Sequence, residues 1–323
     1  MTDRSLAGEL LTTEEGLRIL QDEKLELLLL LQAAYRVRAH HFGRRVRVQV
    51  LNNVQNGYCP EDCHYCAQSV QSEAAITRYR IKGEEEILAE AERAWQAGMY
   101  RYCMVLSGRG PNAGRVEQMA DLVRRIKSRC SIEVCLSAGF IDRKMAAVLK
   151  EAGLDRYNHN LNTAEGHYGA ICRTHTYQDR LATLQAARAE GLQVCSGLIV
   201  GMGESDADIV TVANHLRTLQ ARSIPVNFYM YIPGSPLGDV AHGLTPERCL
   251  RILCLFRFLN PDAEIRAAGG RELHLRSLAA LALYPANGLF SAGYLNVAGQ
   301  STAEVQQMIQ DAGFEVETVE EAE

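Results

Sequence analysis

No run in this chain is apolar for long enough to cross a bilayer. The densest, LELLLLLQAAY at 25–35, is short and is flanked by the charges of a soluble helix. The opening residues, MTDRSLAGELLTTEEGL, carry acids and lack the apolar core of a secretion signal, so the expected location is cytoplasmic. An excess of charge of one sign is missing as well. The formal net charge is -5 and the basic residues are scattered, which argues against a polyanionic partner such as nucleic acid. One basic knot, Arg44, Arg45 and Arg47, is expected at a solvated strand edge. Aromatics are few, at 7%, while glycine is plentiful and 47% of the residues are hydrophobic, which excludes disordered and fibrous classes and makes a sizeable core feasible. No Pro/Gly/Ser-rich linker or internal repeat divides the 323 residues, so one large domain is the simplest organisation. What the chain does have is ten cysteines. In a reducing compartment these point to metal binding or catalysis rather than to a disulfide framework.

The first 45 residues read as a helical extension, with Thr12 or Thr13 as an N-cap ahead of acids and a leucine-rich stretch behind them. At VRVQVL (46–51) the pattern changes to valine-rich alternation, a strand. From there helices over 84–98, 115–129, 143–151, 177–190, 206–220, 246–258 and near 271–281 alternate with short strands. Those strands are YRYCMVL, SIEVCLS, DRYNHNL, QVCSGLIV, PVNFYMY, AEIRAA and GLFSAG. Eight strands separated by helices over about 250 residues predict an α/β fold, a (β/α)8 TIM-type barrel spanning 46–295. A doubly wound open sheet would alternate in the same way, but no GxGxxG stands at the first turn. Residues 296–323 read as a short helix and an acidic tail.

The densest chemistry follows the first strand. GYCPEDCHYCAQSV (57–70) holds Cys59, Cys63 and Cys66 at CxxxCxxC spacing. Three thiolates so close together can converge on an ion or cluster. A structural zinc would want a fourth ligand; His64 adjoins Cys63 and is expected to point away, and no second CxxC pair exists. A 4Fe-4S cluster on three cysteines makes better sense, because it leaves one iron open. Cys103, Cys135 and Cys195 fall in three separate strands; each alone reads as a small core residue, but together they can meet inside a barrel. Arg266 in EIRAAGGRE is a charged strand residue that needs an anionic partner. In DRYNHNLNT, strand alternation puts Asn158 and Asn160 on one face with Asn162 continuing the line, and Asn227 lies in PVNFYMY. Buried amides in series suit a ligand rich in N–H, C=O or hydroxyl groups. GLIVGMGES (197–205) is ambiguous alone: glycines near an apolar Ile199 suit a flat base, or simply a tight turn before a helix capped by Ser205.

The cysteine loop and its place after the first barrel strand resemble the radical S-adenosylmethionine superfamily, and GLIVGMGES then resembles its adenine-contacting strand. CPEDCHYCAQS, YCM, EVCLSAG, YNHNLNT, VCSGLIVGMGE, VNFY with IPGSPL, and EIRAAGGRE, in order from about 45 to 295, resemble the biotin synthase family. The resemblance implies a 4Fe-4S cluster on Cys59, Cys63 and Cys66 whose unique iron takes S-adenosylmethionine, with Tyr65 and Ile199 at the adenine. It implies an auxiliary 2Fe-2S cluster on Cys103, Cys135, Cys195 and Arg266. Asn158, Asn160 and Asn227 would meet the ureido ring of dethiobiotin, and Asn160 and Asn162 the cofactor ribose; some members carry Asp where this chain has Asn162. The implied reaction is radical sulfur insertion into dethiobiotin, fed by a flavodoxin- or ferredoxin-type donor, in a homodimer. A hydrogenase-cofactor maturase or a methylornithine synthase would share barrel and loop but would not need Cys103, Cys135, Cys195 and Arg266 together. A non-enzymatic zinc-binding protein is the remoter alternative.

Overall fold

The computed structural model describes residues 1–240 and 243–319. Three helices, α1 (Thr2–Leu6), α2 (Thr13–Gln21) and α3 (Leu27–Phe42), precede the first strand, β1 (Arg45–Gln55). Thr12 caps α2 in a reciprocal box with Glu15, satisfying amides that the helix leaves free. Leu30, Leu31, Ala34 and Val37 form the buried stripe of α3. Both α2 and α3 pack on a later helix, α10 (Pro246–Leu259), whose side chains are almost all buried.

The barrel strands are β1, β2 (Arg101–Leu106), β3 (Glu133–Ser137), β4 (Arg156–Asn158), β5 (Gln193–Cys195), β6 (Leu198–Val200), β7 (Ser223–Phe228), β8 (Glu264–Ala267) and β9 (Gly288–Ser291). All neighbours pair in parallel, and β9 pairs back onto β1, which closes the ring. The (β/α)8 expectation holds, with the fifth staff of the barrel in two pieces. QVCSGLIV breaks at Ser196–Gly197 because the backbone there runs against β7: a Cβ on Gly197 would lie 1.9 Å from the Pro225 carbonyl oxygen. Between the strands run α4 (Glu84–Gln96), α5 (Ala113–Arg129), α6 (Arg143–Glu151), α7 (Glu165–Ile171), α8 (Tyr177–Ala189) and α9 (Asp206–Thr218), with α10 and the short α11 (Arg271–Leu275) after β7 and β8. No helix among the described residues is long and apolar enough to cross a membrane.

Several local expectations need correction. DRYNHNL is strand only to Asn158; the chain then turns, and Asn162 has a left-handed backbone with φ 69. The helix expected near 271–281 is five residues of α-helix followed by a 3-10 stretch over Arg276–Leu283, broken where Arg276 takes φ 49. Helix α12 (Thr302–Asp311) is capped by Ser301 and Glu304, and a strand that composition did not announce, β10 (Glu315–Val316), pairs with Arg45 and Val46 at the foot of β1. The acidic tail expected in EVETVEEAE (315–323) is therefore corrected where it is described, since Glu315–Val316 pair with β1 and Glu317 is buried, while residues 320–323 lie outside the described residues.

The basic knot is the largest correction. Arg44 and Arg45 are exposed, but Arg47 is part of a polar floor at the N-terminal ends of the strands. Its Nε meets Glu317 at 2.9 Å, its guanidinium lies 4.2 Å from the Tyr100 ring centroid, and Nη1 reaches Glu264 at 3.4 Å. Glu264, fully buried, accepts from Gln49 at 2.6 Å, from both terminal nitrogens of Arg101 at 2.7 and 2.9 Å, and from Ser223 at 2.9 Å. Burial opposes ionisation of Glu264, but the Arg101 guanidinium overrides it and holds the carboxyl well below its usual range. The floor seals the bottom of the barrel with paired charge, so the open end is the C-terminal one.

Candidate active site

Directly after β1 the chain forms the cysteine loop. Turns close at Cys66 N–H to the Cys63 carbonyl and at Ser69 N–H to the Cys66 carbonyl, both 3.1 Å, but among the described residues Cys59, Cys63 and Cys66 do not form a set of sulfurs lying within 4.8 Å of one another. Cys63 is buried and Cys59 and Cys66 are half-buried. His64 turns outward, as expected: its amide donates to the Ile171 carbonyl at 2.8 Å and its Nδ1 lies 3.0 Å from that of Ala170.

The acids between the cysteines are anchors that sequence reasoning passed over. Asp62 Oδ1 accepts the amides of Arg173 and Thr174 at 2.9 and 3.0 Å. Burial works against its charge, yet these amides hold the Asp62 carboxyl well below the normal range. Glu61 accepts from the Thr174 hydroxyl at 2.6 Å, from Arg109 at 3.0 Å and meets His175 Nδ1 in a short contact. The CPEDC segment is thereby clamped onto the turn between α7 and α8. Cys172 sits in that turn with its Sγ 3.8 Å from Cys63 Sγ. The Cys63 contact, aided by His175 and Thr174, brings the Cys172 thiol down to about 4, while the same contact and burial push Cys63 up.

At the C-terminal ends of the strands lies a cavity of about 250 Å³ into which the loop's Tyr65 and Cys66 project. Cys103 and Cys135 line its base, with the fully buried Cys195 clustered against them. Cys103 and Cys135 are paired in register across β2 and β3, Cys195 pairs with Asn158 across β5 and β4, and all three cluster with Ala268 and Phe290. Arg266 donates one Nη to Cys195 Sγ and the other to Gln49 Oε1, with its guanidinium 5.1 Å from the Phe290 centroid. Burial raises the Cys195 thiol, but the Cys135 contact and the Arg266 charge outweigh it and bring Cys195 down to about 5. The reading of Arg266 as countercharge thus has a geometric basis. Three converging thiols, one guanidinium and no fourth thiol is a donor set that fits an iron–sulfur cluster better than zinc.

The asparagines reach the cavity by a different route from strand alternation. Asn158 Nδ2 donates to Cys195 Sγ at 3.0 Å and lies 3.4 Å from Asn160 Oδ1, which accepts the Gly197 amide at 3.1 Å. Asn162, turned by its positive φ, donates to the Tyr65 hydroxyl at 2.6 Å, and its carbonyl accepts Ile199 N–H at 2.8 Å. The bend that ends β4 is what lets Tyr65, Asn162 and Ile199 meet at one rim. Asn227 lines the cavity too, but its amide donates to the Leu198 carbonyl and its oxygen accepts Gly269 N–H, at 2.9 and 3.0 Å.

Arg180 is a cavity-lining residue that the sequence reading also missed. It is buried, lines the cavity, and donates to the Asn160 carbonyl at 2.9 Å, to His175 Nε2 at 3.0 Å and weakly to the Tyr65 hydroxyl at 3.4 Å. Among the described residues no carboxylate forms an ion pair with it. A signal was present: on α8 the buried positions Tyr177, Arg180, Leu184 and Ala187 follow the apolar stripe, and an arginine on that stripe faces inward.

Residues 54–216 match the radical SAM superfamily model, and residues 225–315 match the Biotin and Thiamin Synthesis associated domain. The biotin synthase of Magnetococcus marinus is 61% identical over 99% of this chain and 100% of its own length. The chain belongs to the biotin synthase family. Biotin synthases of Acaryochloris marina and Bacillus subtilis (strain 168) are 57% and 45% identical, over 96% and 99% of this chain and 90% and 96% of theirs. Among solved structures, methylornithine synthase superposes with a TM-score of 0.82 at 20% identity, covering 99% of this chain and 98% of that one. The FeFe-hydrogenase maturase of Carboxydothermus hydrogenoformans gives 0.82 at 18%, covering 97% and 77%. At such identity these two share the fold alone, and it is biotin synthase that the sequence follows over its full length.

Proposed function

We propose that this protein converts dethiobiotin to biotin by radical-mediated sulfur insertion, using S-adenosylmethionine. The observation that carries the reading is the meeting of two thiol sets at one cavity: the cysteine loop, whose Tyr65 and Cys66 line it, and Cys103, Cys135 and Arg266 at its base with the buried Cys195 clustered against them. Cys59, Cys63 and Cys66 hold a 4Fe-4S cluster, and Cys103, Cys135, Cys195 and Arg266 hold an auxiliary 2Fe-2S cluster. When bound, the first supplies the electron that cleaves S-adenosylmethionine and the second supplies the sulfur.

The chain's own part is positional. Tyr65 and Ile199 flank the adenine, and Asn160 and Asn162 hold the ribose hydroxyls. Arg180, a buried cation beside Tyr65 with no acid partner among the described residues, pairs the carboxylate of S-adenosylmethionine. Asn158, Asn160 and Asn227 take the ureido group of dethiobiotin; for Asn227 this means exchanging a backbone partner for the ligand. The barrel wall keeps water away while the C–H bond is held between cofactor and sulfur, and such orientation is worth up to several kcal/mol of barrier. We read residues 1–45 as an extension bracing α10, 46–295 as the catalytic barrel and 296–323 as a C-terminal appendage. A flavodoxin- or ferredoxin-type electron donor and a homodimeric assembly, both suggested by the family resemblance, and a cytoplasmic location, suggested by the sequence, complete the proposal.

Anaerobic reconstitution with iron and sulfide, then incubation with dethiobiotin, S-adenosylmethionine and a reductant, tests it. The expected products are biotin and 5'-deoxyadenosine. Formation of 5'-deoxyadenosine without biotin would leave the superfamily reading intact and remove the substrate.

A further inference from the structure

Cys172 has no part in the function above, yet it is the thiol in contact with a proposed cluster ligand. We infer that Cys63 and Cys172 form an oxidisable pair: in protein without the loop cluster, hydrogen peroxide joins them as a disulfide that withholds Cys63 from cluster loading. The sulfurs are 3.8 Å apart although the residues are 109 positions apart in the chain. Bond formation needs them to close to about 2 Å, with Cα atoms about 4.4–6.8 Å apart.

The backbones on both sides are already held for this. His64 N–H donates to the Ile171 carbonyl at 2.8 Å, and Asp62 accepts the amides of Arg173 and Thr174 while its own amide lies 3.2 Å from the Thr174 hydroxyl. Each neighbour of Cys63 is therefore tied to a neighbour of Cys172, which holds the two backbones side by side.

A metal ion is the competing use of the same place, since Cys63, Cys172 and His175 offer three donor atoms within 4.8 Å of one another. His175 argues against it. Its Nδ1 is engaged by Glu61, and its Nε2 accepts from the Arg180 guanidinium at 3.0 Å, where a bound cation would face another positive charge. The two sulfurs are left with their own chemistry.

In the reaction, one thiol attacks the peroxide O–O bond, becoming a sulfenic acid as water leaves. The other sulfur then displaces that hydroxyl, the S–S bond forms, and a second water departs. The two thiols lose two electrons and two protons, and peroxide takes up both. A dithiol reductant returns the two electrons and restores the pair.

The bond itself stands on this geometry; its effect on loading also rests on Cys63 being a ligand of the loop cluster. Cluster-free protein is treated anaerobically with hydrogen peroxide, its remaining thiols are alkylated, and unreduced digests are analysed by mass spectrometry. The expected product is a Cys63–Cys172 linked peptide pair, two hydrogens lighter than its parts, absent from Cys172→Ser and from protein loaded before oxidation. Peroxide should also abolish loading of the loop cluster, read by its visible absorption, until a dithiol is added. Recovery of Cys63 bonded to Cys59 or Cys66, or of Cys172 alkylated, overturns the pair. Linkage with undiminished loading overturns Cys63 as a ligand and leaves the pair standing. Untreated Cys172→Ser should load normally and keep the wild-type circular dichroism; failure there makes Cys172 a structural residue and overturns the redox role.

Discussion

Arg180 is a buried cation whose protein partners are a carbonyl, hydroxyls and an imidazole, so its charge is balanced only when an anion enters the cavity. A charge-assisted hydrogen bond is worth about 1.5–3 kcal/mol, so Arg180→Met should weaken S-adenosylmethionine binding by about 10- to 100-fold. Equilibrium binding to the reconstituted protein reads this, and unchanged affinity would remove Arg180 from the cofactor. Cys195 belongs to the other thiol set and should behave differently. Cys195→Ala is expected to remove the auxiliary cluster's spectrum while 5'-deoxyadenosine formation stays measurable; equal loss of both clusters would argue against separate sites. Residues such as Cys59, Cys63 and Cys66 were legible because their spacing is local. Glu61, Asp62, Cys172, His175 and Arg180 were not, because each takes its meaning from a partner more than 90 positions away or from a ligand.

At the scale of elements, the alternation of helix and strand was readable because each βα unit buries its own face, and that periodicity is a local property. What escaped was where strands stop. QVCSGLIV is apolar throughout, yet it breaks at Gly197 because β7 presses against it, and DRYNHNL ends at Asn158 because Asn162 must turn toward Tyr65. The polar floor, in which Glu133 also pairs with Arg101 at 2.6 Å and Arg156 at 3.0 Å, escaped for a related reason: Arg47, Arg101, Glu133 and Glu264 come from four strands far apart in the chain. This floor sets the acid stability of the barrel. Burial works against the Glu133 charge, but Arg101 and Arg156 override it and bring the carboxyl down to about 2. Its folded value is below the unfolded one, so its contribution is whole above about pH 4.5 and is lost as pH falls towards 2. Denaturant titrations of cluster-free protein between pH 6 and 3 should show stability falling in that window. Glu264→Gln, which leaves the Arg101 guanidinium buried without its main acid, should cost about 3–5 kcal/mol at neutral pH. A stability independent of pH over that range would contradict the pairing.

For the molecule as a whole, closure of the ring gives the barrel two unlike ends. One is sealed by paired charge and offers nothing to a ligand; the other gathers loop cysteines, amides and strand thiols around a single cavity. Fold class was therefore available from the sequence, as were the cysteines and asparagines as candidates, whereas Arg180 and the division between a rim and a base required the closed ring.

Strand β10 gives that closure a history. Arg47 emerges early in synthesis, but both acids that neutralise it, Glu264 and Glu317, come more than 200 residues later, as do the strands that flank β1 on one side and at its foot. Until they arrive its guanidinium has the Tyr100 ring but no acid. The barrel cannot be finished piece by piece as the chain leaves the ribosome; its first strand waits, half-paired, for nearly the whole message to be read.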